Sequence, residues 1–416
     1  MAQAATGQGS NSAVVRQFNQ RVILTALRRL GEASKADLAR HVNLTQNTAG
    51  QIVKDLERRK LIRMTGKRVG LRGQPATLLC LDATGAYSIG IKLGRRSVDT
   101  LLLDFAGHVL QVHRHERAFP PPEEALALVL ADVAALRRSI RPAERRRLAG
   151  IGLAMPFNLG NWRRELDIPR ETCAAWQDFD LAARLRTALD LPVFVENDGN
   201  AIAVAELFQG HGRELDDFAI VYVGTAVGGG IVLGGDYRRG VTGNAGDMGL
   251  MPVAASRLAS APMPVLPYDI LLNRASVSSL IRHLRAGGTE IRNGAELEAA
   301  IASQPARTEE WLEDCADALV YPLLSVSALL DLQAIIVDGN LPRRLVEWLI
   351  NRLRSRLDAA APEARRAPVL RMGTVGQNAA AIGAAILPLH SYFGQDHLAL
   401  FGQKTATPVT GGQEWT

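Results

Sequence analysis

Cysteine is scarce in this chain of 416 residues. Cys80, Cys173 and Cys315 are too few, odd in number and too far apart for a disulfide framework. A reducing, cytoplasmic setting fits that usage. No run of about 18 apolar residues occurs, so no membrane-spanning helix is expected. The stretch MAQAATGQGSNSAVV lacks the basic start and long apolar core of a secretion signal. Acidic residues are short in one place in particular. Residues 1–80 hold 14 Lys and Arg against 4 Asp and Glu, a net of +10, while the whole chain nets +6 and residues 81–416 net −4. A basic excess confined to one end is the electrostatic footprint of a phosphate-backbone partner. A basic helix on a membrane surface is the competing account. The apolar residues there are spent on a small core, so no membrane partner is expected.

That basic end has internal order. SKADLARHVNLTQNTAGQIVKDLERRKL (34–61) reads as two short helices joined by a tight turn. Ser34 and Asp37, three residues apart, form an N-cap pattern, and Leu38 with the small Ala39 supplies the buried side. Val42-Asn43-Leu44 has the length of the turn in a helix-turn-helix. Thr45 caps a second helix whose Ala49, Ile52, Val53 and Leu56 fall at i, i+3, i+4 and i+7. Its other face carries Gln46, Asn47, Gln51, Lys54 and Arg58, side chains suited to base edges and phosphates. Upstream, NQRVILTALRRL (19–30) places Val22, Ile23, Ala26, Leu27 and Leu30 on one helical face. Downstream, IRMTGKRVGLRGQPATLLCLD (62–82) reads as two strands around a basic, glycine-rich tip, a wing. The expected contacts to double-stranded operator DNA are therefore Ser34, Lys35, Thr45, Gln46, Asn47, Thr48, Gln51, Lys54, Arg58, Lys67, Arg68 and Arg72. The plain alternative is a small helical subdomain with a solvated polar face.

From Tyr87 the texture changes to strands alternating with helices, the pattern of an α/β domain. No fixed-period repeat is visible. The expected organisation is a mobile N-terminus over 1–15, an all-α winged helix-turn-helix over 16–80, an α/β two-lobed domain over 81–400 and a loose tail over 401–416.

Three segments, ENDGNAIAVAELFQG (196–210), VGTAVGGGIVLGG (223–235) and GNAGDMGLMPV (243–253), resemble in order and spacing the ROK family of sugar kinases and regulators. With the helix-turn-helix ahead of them, the chain is most similar to the family's transcriptional regulators, such as repressors of xylose and N-acetylglucosamine genes. The resemblance covers about residues 16–390. It implies an actin/hexokinase-like pair of lobes around a sugar cleft, and a homodimer or dimer of dimers. In kinases of the family the END carboxylate takes a proton from the attacking sugar hydroxyl. Asp198 matches that position and Asn197 its sugar-binding neighbour. Read as residues alone, the pair could hold vicinal hydroxyls, or Asp198 could cap the helix 199–208 that follows. The stretch Gly224 to Gly230 could cradle phosphate or form a tight hairpin.

Departures from the family's pattern then decide the reading. Where its kinases carry Asp-x-Gly-x-Thr, this chain has Lys92-Leu93-Gly94-Arg95-Arg96, with Lys92 for the acid and Arg96 for the hydroxyl. A cation there should repel a supporting Mg²⁺. The second phosphate loop is Gly224-Thr225-Ala226, followed by Gly228, and Ala226 adds a methyl group where backbone would meet phosphate. Asp338 places a negative charge near the expected nucleotide. These degenerate loops predict no catalysis, no catalytic residue and no cofactor. On the sugar side, Asp247 keeps a carboxylate, Leu250 removes the family's histidine, and residues 253–279 contain no Cys or His, so no zinc or other metal site is expected. Phe157 replaces a glycine and Asn158 follows it. Asn158, Asn197, Asp198 and Asp247 are the expected contacts to a small carbohydrate effector. The chain thus reads as a DNA-binding repressor with a catalytically dead sensor domain. An active sugar kinase with a DNA-binding appendage, and a constitutive DNA-binding protein whose second domain only dimerises, are the alternatives.

Overall fold

In the computed structural model, residues 12–68, 76–117, 119–157 and 170–394 are described. Among the expected site residues, Arg72 and Asn158 lie outside them, as does the tail 401–416. Helix α1 (Ser12–Leu30) starts inside the segment expected to be mobile, so residues 12–15 are helical. Leu24 is buried on it and Leu30 is 44% exposed, a departure from the single expected face. The reason is that α1 packs against two bodies, the small helical core and the C-terminal domain. Helix α2 (Lys35–His41) ends in a Schellman turn: Leu44 N–H donates to the Ala39 carbonyl at 2.9 Å, with Asn43 left-handed at φ 53°. Helix α3 (Gln46–Arg58) ends the same way through Lys60 at φ 58°. It buries Ala49, Ile52, Val53 and Leu56, as its spacing predicts. Strands β1 (Ala33–Ser34), β2 (Ile62–Arg68) and β3 (Ala76–Leu81) form an antiparallel sheet in the order β1-β3-β2.

A single turn over residues 83–85 leads from β3 into the first lobe. There β4 (Tyr87–Leu93), β5 (Ser97–Asp104) and β6 (Val109–Glu116) form an antiparallel meander, and β7 (Leu148–Ala154) and β8 (Val193–Glu196) add in parallel beyond β4. The second lobe repeats that plan with β9 (Phe218–Val223), β10 (Val227–Leu233), β11 (Asp236–Tyr237), β14 (Ala334–Gly339) and β15 (Leu370–Met372). A small separate pair, β12 (Pro252–Val253) and β13 (Asp269–Ile270), lies between them in sequence. The duplication is topological; no sequence period announces it.

The outer face of the first sheet is covered by α4 (Pro122–Ser139), α5 (Arg170–Gln177) and α6 (Leu181–Ala188). The outer face of the second is covered by α8 (Leu271–Arg274), α9 (Val277–Arg285), α10 (Gly294–Ser303), α11 (Pro305–Leu330) and α12 (Arg343–Ala360). Between the sheets run α7 (Asp198–Gln209) and α13 (Ala379–Phe393), packed on each other. Their approach is backbone to backbone: a Cβ on Gly383 would sit 1.7 Å from the Ala201 carbonyl, and one on Gly152 1.8 Å from that of Ala384. The apolar core around α7 and α13 is continuous with that of the N-terminal unit. Helix α1 is fastened there by Arg29 to Asp216 at 2.7 Å, by Arg21 to the Ser391 carbonyl at 3.3 Å, and by Arg28 stacked 5.0 Å from the Phe208 ring centre. Burial pulls the Arg28 pKa down to about 10.

One chemical change should act with opposite sign at two sites. Gly152→Ala forces the sheet and α13 apart and should cost about 1–3 kcal/mol. Gly50→Ala, in α3 with open space around its Cβ, should stabilise by about 0.5–1 kcal/mol. Urea unfolding of both variants checks this.

Candidate ligand cleft and nucleic-acid interface

The N-terminal unit exposes Thr45, Gln46, Asn47, Gln51, Lys54 and Arg58 on one side of α3, with Lys67 exposed on β2. Thr45 Oγ1 accepts from Thr48 N–H at 3.2 Å, so Thr48, half-buried, belongs to the cap as well as to the surface. Lys35 is half-buried at the start of α2. Ser34 is a correction. It is buried, its Oγ accepts from Asp37 N–H at 3.1 Å and donates to Asp37 Oδ2 at 2.8 Å, and nothing of it is offered to a partner. Arg68 is corrected in part: it is exposed, yet Nη2 lies 2.8 Å from Asp37 Oδ2. The bonds from Ser34, with Arg40 and Arg68 behind them, hold the Asp37 pKa down at about 2.

The second site lies between the lobes, where β4 and β9 end and α7 begins. Glu196, 2% exposed, organises it: Oε1 takes Asn197 N–H at 2.9 Å and Asn200 Nδ2 at 3.1 Å, and Oε2 takes Arg239 Nε at 3.1 Å. Asn200 also donates to the Gly243 carbonyl at 2.9 Å, and Asn197 Nδ2 reaches Asn244 Oδ1 at 3.2 Å. The two sequence motifs are thereby stitched together. The N-cap of α7 is Asn197, through Gly199 N–H at 2.8 Å, and the expected cap Asp198 is instead the first residue of the helix. Phe157 lies against Gly243 and fills the space beside the loop.

A pocket of about 570 Å³, open water at its mouth included, has Lys92, Gly94, Asp198, Gly224, Thr225, Ala226 and Gly228 in its wall. Arg96 instead lines an adjoining cleft, and Asn197 and Asp247 stand beside the pocket rather than in its wall. Arg95, which sequence reasoning passed over in favour of Arg96, lines the pocket and acts on both Asp198 and Asp247. Its signal was adjacency to Gly94, where the turn between β4 and β5 leaves either arginine free to face inward. Burial raises the Asp198 pKa above the ordinary carboxylate value, against the opposing pull of Arg95 and Lys92. Asp247 is open to water on one side, yet desolvation and then the Asp198 charge raise its pKa too.

The altered phosphate loops behave as follows. Lys92 folds back over Gly94, and Nζ lies 3.0 Å from Ser97 Oγ and 3.2 Å from Asp99 Oδ2. An ammonium so fixed does not fit a supported divalent cation. The 224–226 turn is the hairpin between β9 and β10, and its carbonyls are taken by the start of α9: Val277 N–H on Gly224 at 2.8 Å and Ser278 Oγ on Thr225 at 2.7 Å. Asp338 is a correction. It is 1% exposed and spent on Arg343 Nη1 at 2.8 Å and on Gly339 and Gly376 N–H, so it does not face a nucleotide. Leu250 is half exposed, and among the described residues no group of three His, Cys, Asp or Glu is arranged to hold a metal. Among them, too, no helix is long and apolar enough to cross a membrane.

The sequence profile of the ROK family matches residues 88–390. A xylose repressor of Bacillus subtilis (strain 168) is 27% identical over 240 residues, 58% of this chain and 61% of that protein, so the match spans about three fifths of the repressor. A ROK family transcriptional regulator, homolog of the E. coli MLC protein, superposes with TM-score 0.64 at 21% identity over 94% of this chain and 100% of that one. A ROK family glucokinase from Streptomyces griseus, in complex with glucose and AMPPNP, superposes with TM-score 0.58 at 24% identity over 73% of this chain and 99% of that one. At these identities the two structures establish the fold alone.

Asp198 gives a pH signature. A carboxyl whose folded pKa is raised costs stability only once ionised: the cost is absent below the ordinary value of 3.8 and grows as pH rises through the folded pKa. Asp198→Asn should therefore raise the melting temperature at pH 8 by more than at pH 4. Thermal unfolding at the two pH values measures the difference, and equal shifts would show that burial does not dominate at this carboxyl.

Proposed function

The chain belongs to the ROK family, and on that premise we propose that it is a DNA-binding transcriptional repressor governed by a carbohydrate or carbohydrate-derived effector. In this reading residues 16–80 are a winged helix-turn-helix and residues 81–400 the effector-binding and dimerisation domain. Helix α3 enters the major groove, with Gln46, Asn47 and Gln51 toward base edges, and the β2–β3 hairpin is the wing. Lys54, Arg58 and Lys67 meet phosphates. The relatives that carry repressor names support this reading.

The observation that carries the proposal is helix α7. It begins at the candidate effector residues Asn197 and Asp198, and its last full turn, about 15 Å further on, holds Phe208 against Arg28 of α1. A ligand that shifts the start of α7 shifts the seat of the DNA-binding unit. Strand β4 supports a second link, running from the turn below β3 to Lys92 in the pocket wall. In a homodimer or dimer of dimers, such shifts change the spacing of paired α3 helices, which must match half-sites about 34 Å apart. The coupling is reciprocal: an effector that loosens DNA binding is itself bound less tightly by the DNA complex.

A sugar kinase with a DNA-binding appendage is the rival, because the lobes share their fold with a glucokinase. The Lys92–Asp99 pair weighs against it. Sugar-dependent release of ADP in a coupled assay would decide for the kinase.

Gel-shift titration against the operator tests the regulator. Gln46→Ala and Gln51→Ala should each lose about 1–3 kcal/mol of discrimination at the base pair contacted. Lys67→Ala should weaken all sequences alike and lower the salt slope by about 1. Phe208→Ala should bind operator but lose its response to the effector. Operator affinity that stays constant across a full panel of sugars and sugar derivatives would overturn the proposed gating.

A further inference from the structure

At the far end of α7 from Asn197, a separate cavity lies under the seat of α1. Its wall includes Arg28 of α1, Leu103 of β5, Phe208 of α7, Arg213 just beyond that helix, and Ile386 and Leu389 of α13. It encloses about 600 Å³, open water at its mouth included. Hydrocarbon makes up much of the wall, and no described residue in it is acidic. The imidazole of His108, on the turn between β5 and β6, is already committed, with Nδ1 2.9 Å from Asp104 Oδ2. Arg28 is answered only in part. Phe208 offers it a ring face 5.0 Å away, but Nη1 is shut off from water and has no hydrogen-bond partner among the described residues. Burial alone lowers the Arg28 pKa, and no carboxylate acts to restore it. Arg213 is exposed and makes no ion pair among the described residues either.

A buried cationic N–H left without a partner costs more than a neutral one, and the group that satisfies it best is an anion. Apolar walls then select which anion. They add to affinity only where the anion carries hydrocarbon of its own, and they penalise a second charge brought past them unpaired. A carboxylate supplies one charge to match one guanidinium, whereas a phosphate dianion brings two. We propose that the cavity between α1 and the lobes binds a small monocarboxylate with a hydrocarbon body, its carboxylate on Arg28 Nη1 and its chain against Leu103, Phe208, Ile386 and Leu389. This site shares no wall residue with the pocket at Asp198, so its ligand is distinct from the carbohydrate effector. A molecule held there touches α1, α7 and α13 together. Its binding therefore stabilises the arrangement in which the N-terminal unit is seated on the lobes.

Octanoate, hexanoate, acetate, 1-octanol and inorganic phosphate, each below any micelle-forming concentration, are titrated into the full chain by calorimetry and thermal shift. Octanoate should bind once per chain and raise the melting temperature. Each methylene removed should weaken binding by about two- to fourfold, so that acetate does not register. Inorganic phosphate should not displace octanoate. Arg28→Met keeps a side chain of similar reach and removes the charge. It should weaken octanoate by about tenfold or more while 1-octanol binds no worse. Ala106→Leu adds volume to the wall, leaves Arg28 in place and should weaken both compounds. Arg137→Gln/Arg138→Gln, an exposed pair at the end of α4, should alter neither. Absence of octanoate binding, its displacement by inorganic phosphate, or an Arg28→Met variant that holds octanoate as tightly as the parent overturns the proposal. Should Arg28→Met fail to fold, Ala106→Leu decides, and undiminished octanoate binding in that variant overturns the proposal as well. A chain that binds octanoate but ignores operator DNA keeps this site and loses the regulator. One that answers sugars at the operator but ignores octanoate does the reverse.

Discussion

Where α7 crosses α13, Gly383 lies so close to the Ala201 carbonyl that no methyl group fits, and both sheets take their separation from that crossing. Helices at ordinary side-chain distance would hold the sheets further apart, and the pocket between the ends of β4 and β9 would open to bulk water. The closeness explains why α13 reads AAAIGAAIL and why glycines line the facing strands. It also leaves little side-chain volume to repack between the two helices, and the proposed gating would use that closeness to carry a displacement along α7 from the candidate effector residues to the seat of α1.

Much of the fold was legible in the sequence because its signals are local. The i, i+3, i+4, i+7 spacing of Ala49, Ile52, Val53 and Leu56 names a buried helix face whatever surrounds it, and Ser34 with Asp37 names a helix start. The same pair shows where local reading stops. The bonds that made Ser34 recognisable as a cap are those that withdraw it from any partner. Asp338 failed for the same reason, since its charge is answered by Arg343 and by Gly376, 38 residues further on, and no spacing rule links those positions. The doubled sheet plan was invisible because the repeat is one of strand order and direction, with insertions of different length between equivalent strands.

In the cleft, sequence named the altered positions but not their consequences. Lys92 was legible as a substitution; that Asp99 on the neighbouring strand accepts it was not, because the pairing depends on the register Lys92 to Asp99 between β4 and β5. Arg95 and Arg96 are adjacent in a turn, and only the turn's geometry sends one toward Asp198 and the other across to Arg292. Glu196 went unnoticed as an organiser because its partners, Arg239 and Tyr237, lie some forty residues downstream. Electrostatic sites of this kind are assembled by tertiary contact, whereas caps and amphipathic faces are written into neighbouring residues.

The apolar core of the N-terminal unit runs without a break into that around α7 and α13. The head is consequently no longer a detachable module. A boundary drawn after residue 80 would leave apolar surface bare on both fragments, and neither would be the folded thing it is within the whole. Residues on its outer face stand away from that shared core and can be exchanged without disturbing it, whereas a foreign head would need apolar side chains that match the seam.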